Sequence, residues 1–241
     1  MAQIIVALDV PSAEDALDLV ERVGEGVDFY KVGSPLFTRS GPAVVRALRD
    51  RGKRVFLDLK YHDIPSTVAN AVSAACELGI DLLTLHASGG EAMMRAAREA
   101  AEAFGDDSPR LLGVTILTSF TAVDVEQVWN KEILSVRDEV ARLAGLAADS
   151  GMHGVVTSPM EVEALRRRHG AGFIFVTPGI RAANDGLGDQ ARTASPGEAA
   201  RAGADYLVVG RPVLNAADPV AVLAAMRAEI DGTSVTESAS P

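Results

Sequence analysis

The chain has 241 residues, of which 48% are hydrophobic and 23% are charged, and its formal net charge is -10. These proportions are typical of a globular protein and exclude intrinsic disorder for most of the chain. No apolar run approaches the ~20 residues of a membrane span, and the negative charge argues against a nucleic-acid partner. The single cysteine, Cys76, excludes an intrachain disulfide. We therefore expect a soluble, cytoplasmic protein that binds neither membranes nor nucleic acids.

Short β-rich segments alternate with helical segments along the whole chain. The predicted strands cover residues 4–9, 28–33, 54–60, 81–87, 111–117, 154–158, 173–178 and 205–210. The predicted helices cover residues 12–23, 35–51, 66–79, 90–104, 135–150, 159–169, 196–203 and 212–230. Capping signals support several helix starts, such as Ser12 with Asp15 and Ser195 with Glu198.

Strict alternation of strand and helix predicts parallel strands joined by right-handed crossovers. Eight such units fit a single-domain (β/α)8 TIM barrel over residues 1–231, followed by a small, polar and disordered tail at 232–241. An open doubly wound sheet is the alternative, but such sheets have fewer strands, and no G-x-G-x-x-G follows the first strand. Two long loops, 118–131 and 179–193, follow strands five and seven, at the end of a barrel where active sites lie.

Charged residues stand at the carboxyl ends of the first three predicted strands. Strand one ends in ALD with Asp9, strand two ends in YKVG with Lys31, and strand three carries Asp58 and Lys60 in DLKYHD. Because side chains alternate along a strand, Asp58 and Lys60 share a face, which we expect to point into the barrel. An ion-pair network that only closes the barrel is one interpretation. We favour a catalytic site, because burying charges is costly where apolar residues would fill the space.

A phosphate site is predicted after strands seven and eight. Strand eight ends in VVGRPV, which places Gly210 and Arg211 at the barrel mouth, and the loop after strand seven carries Arg181 and Gln190. Loops at these positions form the recurrent phosphate site of TIM barrels. A Gly-Arg pair is also common in surface turns, so its position in the fold is what favours phosphate.

The segment DLKYHDIPST, with its D-x-K-x-x-D core, resembles the signature of the orotidine 5'-phosphate decarboxylase family, bacterial type. The similarity extends in the same order to ALD, KVG, VTILTS, VTPGIR and VVGR at strands one, two, five, seven and eight. D-x-K-x-x-D alone is shared with a wider superfamily, whereas the full set is specific. The resemblance implies a lyase that converts orotidine 5'-monophosphate to UMP and CO2 in de novo pyrimidine synthesis, with no metal and no other cofactor.

The resemblance also implies catalytic roles by motif position. Lys31, Asp58 and Lys60 match the charged network of the family, with Lys60 as the proton donor. Asp63 matches the residue that completes this network from the partner subunit of a homodimer. The active sites are then shared across the subunit interface.

Contacts with the rest of the substrate are implied in the same way. Asp9 matches a ribose ligand, and Thr67 matches a second ribose contact that reaches across the interface. Thr118 matches the position that contacts the pyrimidine. The residues that match the phosphate site are Arg181, Gln190, Gly210 and Arg211.

Two other functions stay open. The magnesium-dependent branch of the superfamily, such as 3-keto-L-gulonate 6-phosphate decarboxylase or hexulose-phosphate synthase, resembles this chain at strand three. Its strand-two position is a glutamate metal ligand, whereas Lys31 would repel Mg²⁺. The other alternative is a non-catalytic nucleotide-binding barrel, in which Asp58, Lys60 and Asp63 would have no chemical task.

Overall fold

Eight parallel strands form one closed barrel in chain order, with the last strand paired to the first. The structure is a computed structural model that describes residues 1–130, 132–133, 135–181 and 193–237. The strands are β1 Gln3–Ala7, β2 Phe29–Gly33, β3 Arg54–Tyr61, β4 Leu82–His86, β5 Arg110–Val114, β6 Gly154–Val156, β7 Ile174–Thr177 and β8 Tyr206–Val209. This architecture confirms the predicted TIM barrel and the order of its strands.

Helices follow the strands and surround the barrel. They are α1 Ala13–Val23, α2 Ser34–Ser40, α3 Pro42–Arg49, α4 Pro65–Cys76, α5 Glu91–Glu102, α6 Ala122–Trp129, α7 Val136–Asp149, α8 Pro159–His169, α9 Pro196–Arg201, α10 Arg211–Leu214 and α11 Pro219–Glu237. None of the helices in the described part of the chain combines the length and the apolar character that a bilayer crossing requires.

Three helical regions differ from the sequence prediction. The helix expected over 35–51 is divided at Gly41, whose φ of 57° suits glycine and interrupts the helix between α2 and α3. The helix expected over 212–230 is divided into the short α10 and the long α11. The loop at 118–131 contains α6, which begins with a capping box between Thr121 and Asp124.

The carboxyl-terminal boundary also differs from the prediction. α11 extends to Glu237, whereas the sequence predicts a disordered tail from Gly232. A single glycine costs a helix about 1 kcal/mol, which a long helix with alanine-rich turns tolerates. Residues 238–241 lie outside the described residues.

The core has two layers, one inside the barrel and one between the strands and the helices. The five residues of β2 are all buried. α1 buries one face only, and the buried residues at helical spacing are Ala16, Leu19, Val20 and Val23. Phe29 lies low in the barrel interior, where the Arg54 guanidinium stacks 4.2 Å from its ring centroid. Each layer therefore follows from the alternation and the helical period of the sequence.

The amino-terminal end of the barrel is held by a repeated hydrogen bond. A polar residue directly precedes each of β4, β6 and β8, and its side chain accepts the N–H of the second residue of the preceding strand. The three bonds run from Val55 to Asp81 (2.8 Å), from Leu111 to Nδ1 of His153 (2.9 Å) and from Phe175 to Asp205 (2.7 Å). These contacts join neighbouring strands at the end opposite to the predicted site.

His153 makes the stability of this end depend on pH. Burial lowers the pKa of His153 to about 4, with further contributions from the cations of Arg98 and Arg110. Between the ordinary value of 6.5 and about 4, the unfolded chain therefore binds a proton that the native state does not. Since protonation of Nδ1 would break the bond from Leu111, we expect the free energy of unfolding to fall as the pH is lowered through this range.

His153→Asn tests this prediction, because its Oδ1 can accept the N–H of Leu111 without titrating. Urea unfolding at about pH 7 and about pH 5 should show a smaller loss of stability for the variant than for the wild type. Carboxylates titrate in both proteins, so the difference between the two losses is the measurement. Equal losses would contradict the assignment.

Candidate active site

Four charged side chains, located on or just after the first three strands, meet at the carboxyl end of the barrel. Nζ of Lys31 lies 3.0 Å from Oδ1 of Asp9 and 3.9 Å from Oδ2 of Asp58. Nζ of Lys60 lies 2.9 and 2.8 Å from the two carboxylate oxygens of Asp58. The order Asp9, Lys31, Asp58, Lys60 therefore alternates in charge, and Asp58 stands between two ammonium groups.

Asp58 is the most deeply placed carboxylate of this cluster, with a side chain that is 12% exposed. Burial by itself would raise its pKa. The charges of Lys60 and Lys31, together with hydrogen bonds from Lys60 and Thr84, outweigh burial and hold the pKa of Asp58 below its ordinary value. Asp58 is thus ionised at neutral pH, and it keeps a compensating charge next to the Lys60 ammonium.

Lys60 reaches this position through an irregular piece of strand. The pairing of β3 with β4 shifts register between Leu57 and Tyr61, and Lys60 has a φ of 52°. Asp58 and Lys60 share a site as predicted, but regular alternation along β3 does not explain it. The N–H of Lys60 donates to Oγ1 of Thr84 (2.9 Å), whose hydroxyl donates to Oδ1 of Asp58 (2.9 Å).

A cavity of about 290 Å³ lies over the charged cluster. Its polar and charged lining comprises Asp9, Lys31, Asp58, Lys60, Thr118, Thr157, Arg181 and Arg211, with Gly179 and Gly210. Its apolar lining comprises Ala7, Phe56, Val114, Ile116, Leu117, Val156, Pro178 and Val208. A small molecule that carries both an apolar part and negative charge fits such a lining.

Arg181 and Arg211 line this cavity together with Gly210. Arg181 is mostly buried and donates from Nη1 to the carbonyl of Ile180 (3.0 Å). Arg211 begins α10, which has four residues. A Cβ on Gly210 would lie 3.6 Å from Oδ2 of Asp9, which is an ordinary van der Waals contact. Gly210 and Asp9 both line the cavity, where the arginines can hold an anion.

Asp63 and Thr67 lie outside this cavity. Both are exposed, and Oδ1 of Asp63 accepts the N–H of Ile64 (2.6 Å). Ile64 itself is 64% exposed, although it is a large apolar residue. The DIPST part of the motif is therefore exposed and does not line the cavity of its own chain.

Comparison with known proteins shows to which family the chain belongs. The sequence matches the model of the Orotidine 5'-phosphate decarboxylase / HUMPS family over residues 2–226. The chain belongs to this family. A relative named Orotidine 5'-phosphate decarboxylase from Sodalis glossinidius (strain morsitans) is 50% identical over 227 residues, which cover 94% of this chain and 89% of that protein. A relative of the same name from Moorella thermoacetica (strain ATCC 39073 / JCM 9320) is 48% identical over 235 residues, with coverage of 95% and 92%.

Solved structures of the family share the fold. The orotidine 5'-phosphate decarboxylase of Lactobacillus acidophilus superposes with a TM-score of 0.85 and 37% identity, covering 96% of this chain and 100% of that chain. The corresponding structure from Pyrococcus horikoshii OT3 gives a TM-score of 0.77 and 26% identity, covering 95% and 100%. The fold class and the family predicted from the sequence are thus both confirmed.

The structure brings most of the residues predicted from the family motifs to one cavity. Those that line it are Asp9, Lys31, Asp58, Lys60, Thr118, Arg181, Gly210 and Arg211. Asp63 and Thr67 do not line it, and Gln190 lies outside the described residues. Ser119, next to Thr118, is exposed and is not part of the lining.

Thr84 and the apolar wall of the cavity were not predicted from the sequence. Thr84 is a polar residue inside the apolar strand LLTLH, and this break in the pattern is a signal that could have revealed it. Ile116, Leu117 and Val156 carry no such signal, because an apolar residue that lines a cavity resembles one that fills the core.

Gly33 leaves room for the Lys31 ammonium, which leads to a prediction. Its φ of -92° is open to any residue, but an added Cβ would lie 3.0 Å from Nζ of Lys31 and 3.5 Å from Oδ1 of Asp9. Gly33→Ala should therefore shift the ammonium by a few tenths of an ångström relative to Asp9, and we expect the decarboxylase kcat/KM to fall by about tenfold.

Gly172→Ala is the matched control, because no heavy atom lies within 4 Å of its added Cβ. Steady-state kinetics and crystal structures of both variants give the comparison. Full activity of Gly33→Ala, with the Lys31–Asp9 contact unchanged, would show that this crowding has no effect.

Proposed function

We propose that this protein converts orotidine 5'-monophosphate to UMP and CO2 in pyrimidine nucleotide synthesis. The observation that carries the proposal is the alternating cluster of Asp9, Lys31, Asp58 and Lys60, which opens into a cavity that also contains two arginines. The identity of the substrate is indicated by relatives named for this activity, which are 50% and 48% identical over nearly the whole chain.

The reaction requires a fixed positive charge close to one carbon atom of the substrate. Loss of CO2 from C6 of the pyrimidine leaves an electron pair in the plane of the ring, where it cannot delocalise into the ring carbonyls. Without an electron-sink cofactor, the protein must stabilise this carbanion electrostatically. The Lys60 ammonium, held by both oxygens of Asp58, is the group that we assign to this task.

Lys60 then completes the reaction as a general acid. The bond between C6 and the carboxyl carbon breaks, its electron pair stays on C6, and CO2 leaves. C6 takes a proton from Nζ of Lys60, which forms UMP, and Lys60 regains a proton from water. Lys31 and Asp58 keep the charges in place during these steps, because Lys31 is paired with Asp9 and Asp58 lies between the two lysines.

The remaining contacts serve the ribose, the base and the phosphate. We assign Asp9 to the ribose, Thr118 to the pyrimidine, and the phosphate to a site whose residues are Arg181, Gln190, Gly210 and Arg211. The two arginines and Thr118 line the same cavity as Lys60, which supports this assignment. Phosphate binding is remote from the bond that breaks, so its binding energy can be used to favour the transition state.

We also propose a homodimer in which Asp63 and Thr67 enter the active site of the partner subunit. Both residues are exposed and lie outside the cavity of their own chain. Ile64 between them is 64% exposed, and burial of this side chain against a second copy would remove apolar surface from water. A second carboxylate near Lys60 would further stabilise its charged form.

The magnesium-dependent branch of the family fits the cluster less well. Nζ of Lys31 lies 3.0 Å from Asp9 and 3.9 Å from Asp58, so a cation already stands where these carboxylates would have to share a metal. Over residues 1–130, 132–133, 135–181 and 193–237, no group of three His, Cys, Asp or Glu side chains is arranged to hold a metal ion. A non-catalytic barrel would bind the nucleotide without turnover.

The direct test is the fall in ultraviolet absorbance when the purified protein is mixed with orotidine 5'-monophosphate. Lys60→Ala should lower kcat by about 10,000-fold or more, since the carbanion loses both its charge partner and its proton donor. UMP should still bind to this variant, because the ribose and phosphate contacts remain.

Lys53→Ala is the matched control, because Lys53 precedes the same strand at the opposite end of the barrel and contacts the carbonyl of Gly24. It should keep wild-type turnover. Exhaustive chelation should also leave turnover unchanged, and a loss that Mg²⁺ restores would assign the protein to the metal-dependent branch. Substrate binding without absorbance change would favour the non-catalytic barrel.

Hybrid dimers test the shared site. Lys60→Ala and Asp63→Ala subunits, each inactive alone, are mixed under conditions that exchange subunits. One site of a hybrid then carries both changes, whereas the other combines an intact Lys60 with an intact Asp63. Random exchange makes about half of the dimers hybrids, so roughly a quarter of full activity should return.

If Asp63 acts within its own chain, every site of a hybrid carries one change and no activity returns. Subunit exchange must be shown independently, for example by mass spectrometry of differently tagged chains. Exchange without recovery would refute the shared site.

A further inference from the structure

Thr84 lies at the centre of β4 and is fully buried, and it contacts Lys60 and Asp58, two of the four charged residues of the site. Its Oγ1 is 2.9 Å from the backbone nitrogen of Lys60 and 2.9 Å from Oδ1 of Asp58. A backbone N–H can only donate and an ionised carboxylate can only accept. The hydroxyl must therefore accept from Lys60 and donate to Asp58, so the direction of both bonds is fixed.

The irregularity of β3 explains why this hydroxyl is needed. β3 pairs with β4 at Leu57 and again at Tyr61, while the partner on β4 advances only from Leu83 to Leu85. Three residues of β3, at 58–60, thus stand opposite Thr84 alone. The backbone of Lys60 is left-handed in this bulge, with a φ of 52°, which is costly for any residue except glycine. A local contact must hold this conformation.

We propose that Thr84 is a positioning residue whose hydroxyl holds the Lys60 backbone and the Asp58 carboxylate in register, so that the Lys60 ammonium points at the reacting carbon. The inference rests on the proposed function, in which Lys60 and Asp58 carry the chemistry. Thr84 does not line the cavity and acts only through these two residues.

Packing alone does not require the hydroxyl. Valine has nearly the same shape as threonine and would fill the same space in β4, whereas it would leave the N–H of Lys60 without its acceptor. Asp58 would also lose one of the hydrogen-bond donors that hold its pKa low. The contribution of this donor is smaller than those of burial and of the two lysines. Valine at position 84 therefore separates a role in positioning from a role in packing.

The experiment compares Thr84→Val and Thr84→Ser with the wild type. Thr84→Ser keeps the hydroxyl and should keep kcat within about threefold, whereas Thr84→Val should lower kcat by about 10- to 100-fold. KM for orotidine 5'-monophosphate should change little, because the ribose and phosphate contacts are elsewhere. The acidic limb of the kcat profile should move to higher pH in Thr84→Val, since Asp58 is then easier to protonate.

Thr115→Val is the matched control. Thr115 is also buried and its hydroxyl donates to the carbonyl of Val156 (3.1 Å), but it contacts none of the four charged residues. It should lose stability without losing kcat. If Thr84→Val does not fold, Thr84→Ala against Thr84→Ser gives the same comparison, because these two also differ by the hydroxyl.

Hydrogen exchange at the Lys60 amide provides a readout that needs no turnover. Exchange should be faster in Thr84→Val than in Thr84→Ser and the wild type, while amides at the amino-terminal end of β3 stay protected. An inactive wild type would refute the proposed function, and the exchange result would still decide the role of Thr84. Wild-type kcat and an equally protected Lys60 amide in Thr84→Val would overturn the inference.

Discussion

The site depends on one buried carboxylate that stays ionised. Asp58 lies between the ammonium groups of Lys31 and Lys60, and their combined charge outweighs the cost of burying it. If Asp58 were neutral, both lysines would lose their shared counter-ion, and the ordered alternation of charge would be lost. The positions of β2 and β3, the bulge in β3 and the small residue at the end of β2 all serve to keep these three groups together.

Most of the fold was predictable because it follows from periodicity. Eight alternating segments determined the barrel, and the positions of Asp9, Lys31 and Asp58 at strand ends determined where charge would gather. Geometry that depends on partners far along the chain was not predictable. The left-handed backbone of Lys60 has no local sequence signal, because lysine normally avoids that conformation, and only the pairing with β4 reveals it.

The charged residues of the site were predictable from the sequence, whereas the apolar residues that shape the cavity were not. Arg181 and Arg211 stand out because arginine at a barrel mouth suggests an anion. Val156 and Leu117 do not, since their sequence context is that of a core residue. Asp63 presents a third case, because the motif marks it clearly whereas in the single chain it is exposed and lies outside the cavity. Its proposed role lies in a second copy of the chain, so contacts within one chain do not reveal it.

The repeated hydrogen bond at the amino-terminal end has a consequence for how the barrel comes apart. It joins β3 to β4, β5 to β6 and β7 to β8, so a side chain reinforces every second strand boundary in this series. The boundaries between β4 and β5 and between β6 and β7 rely on the backbone ladder at the same level. Strand pairs, rather than single strands, are then the natural cooperative units of partial opening. The barrel can be regarded as an assembly of two-strand modules. The hydrogen bonds that join each module at its amino-terminal end involve none of the charged residues at the carboxyl end.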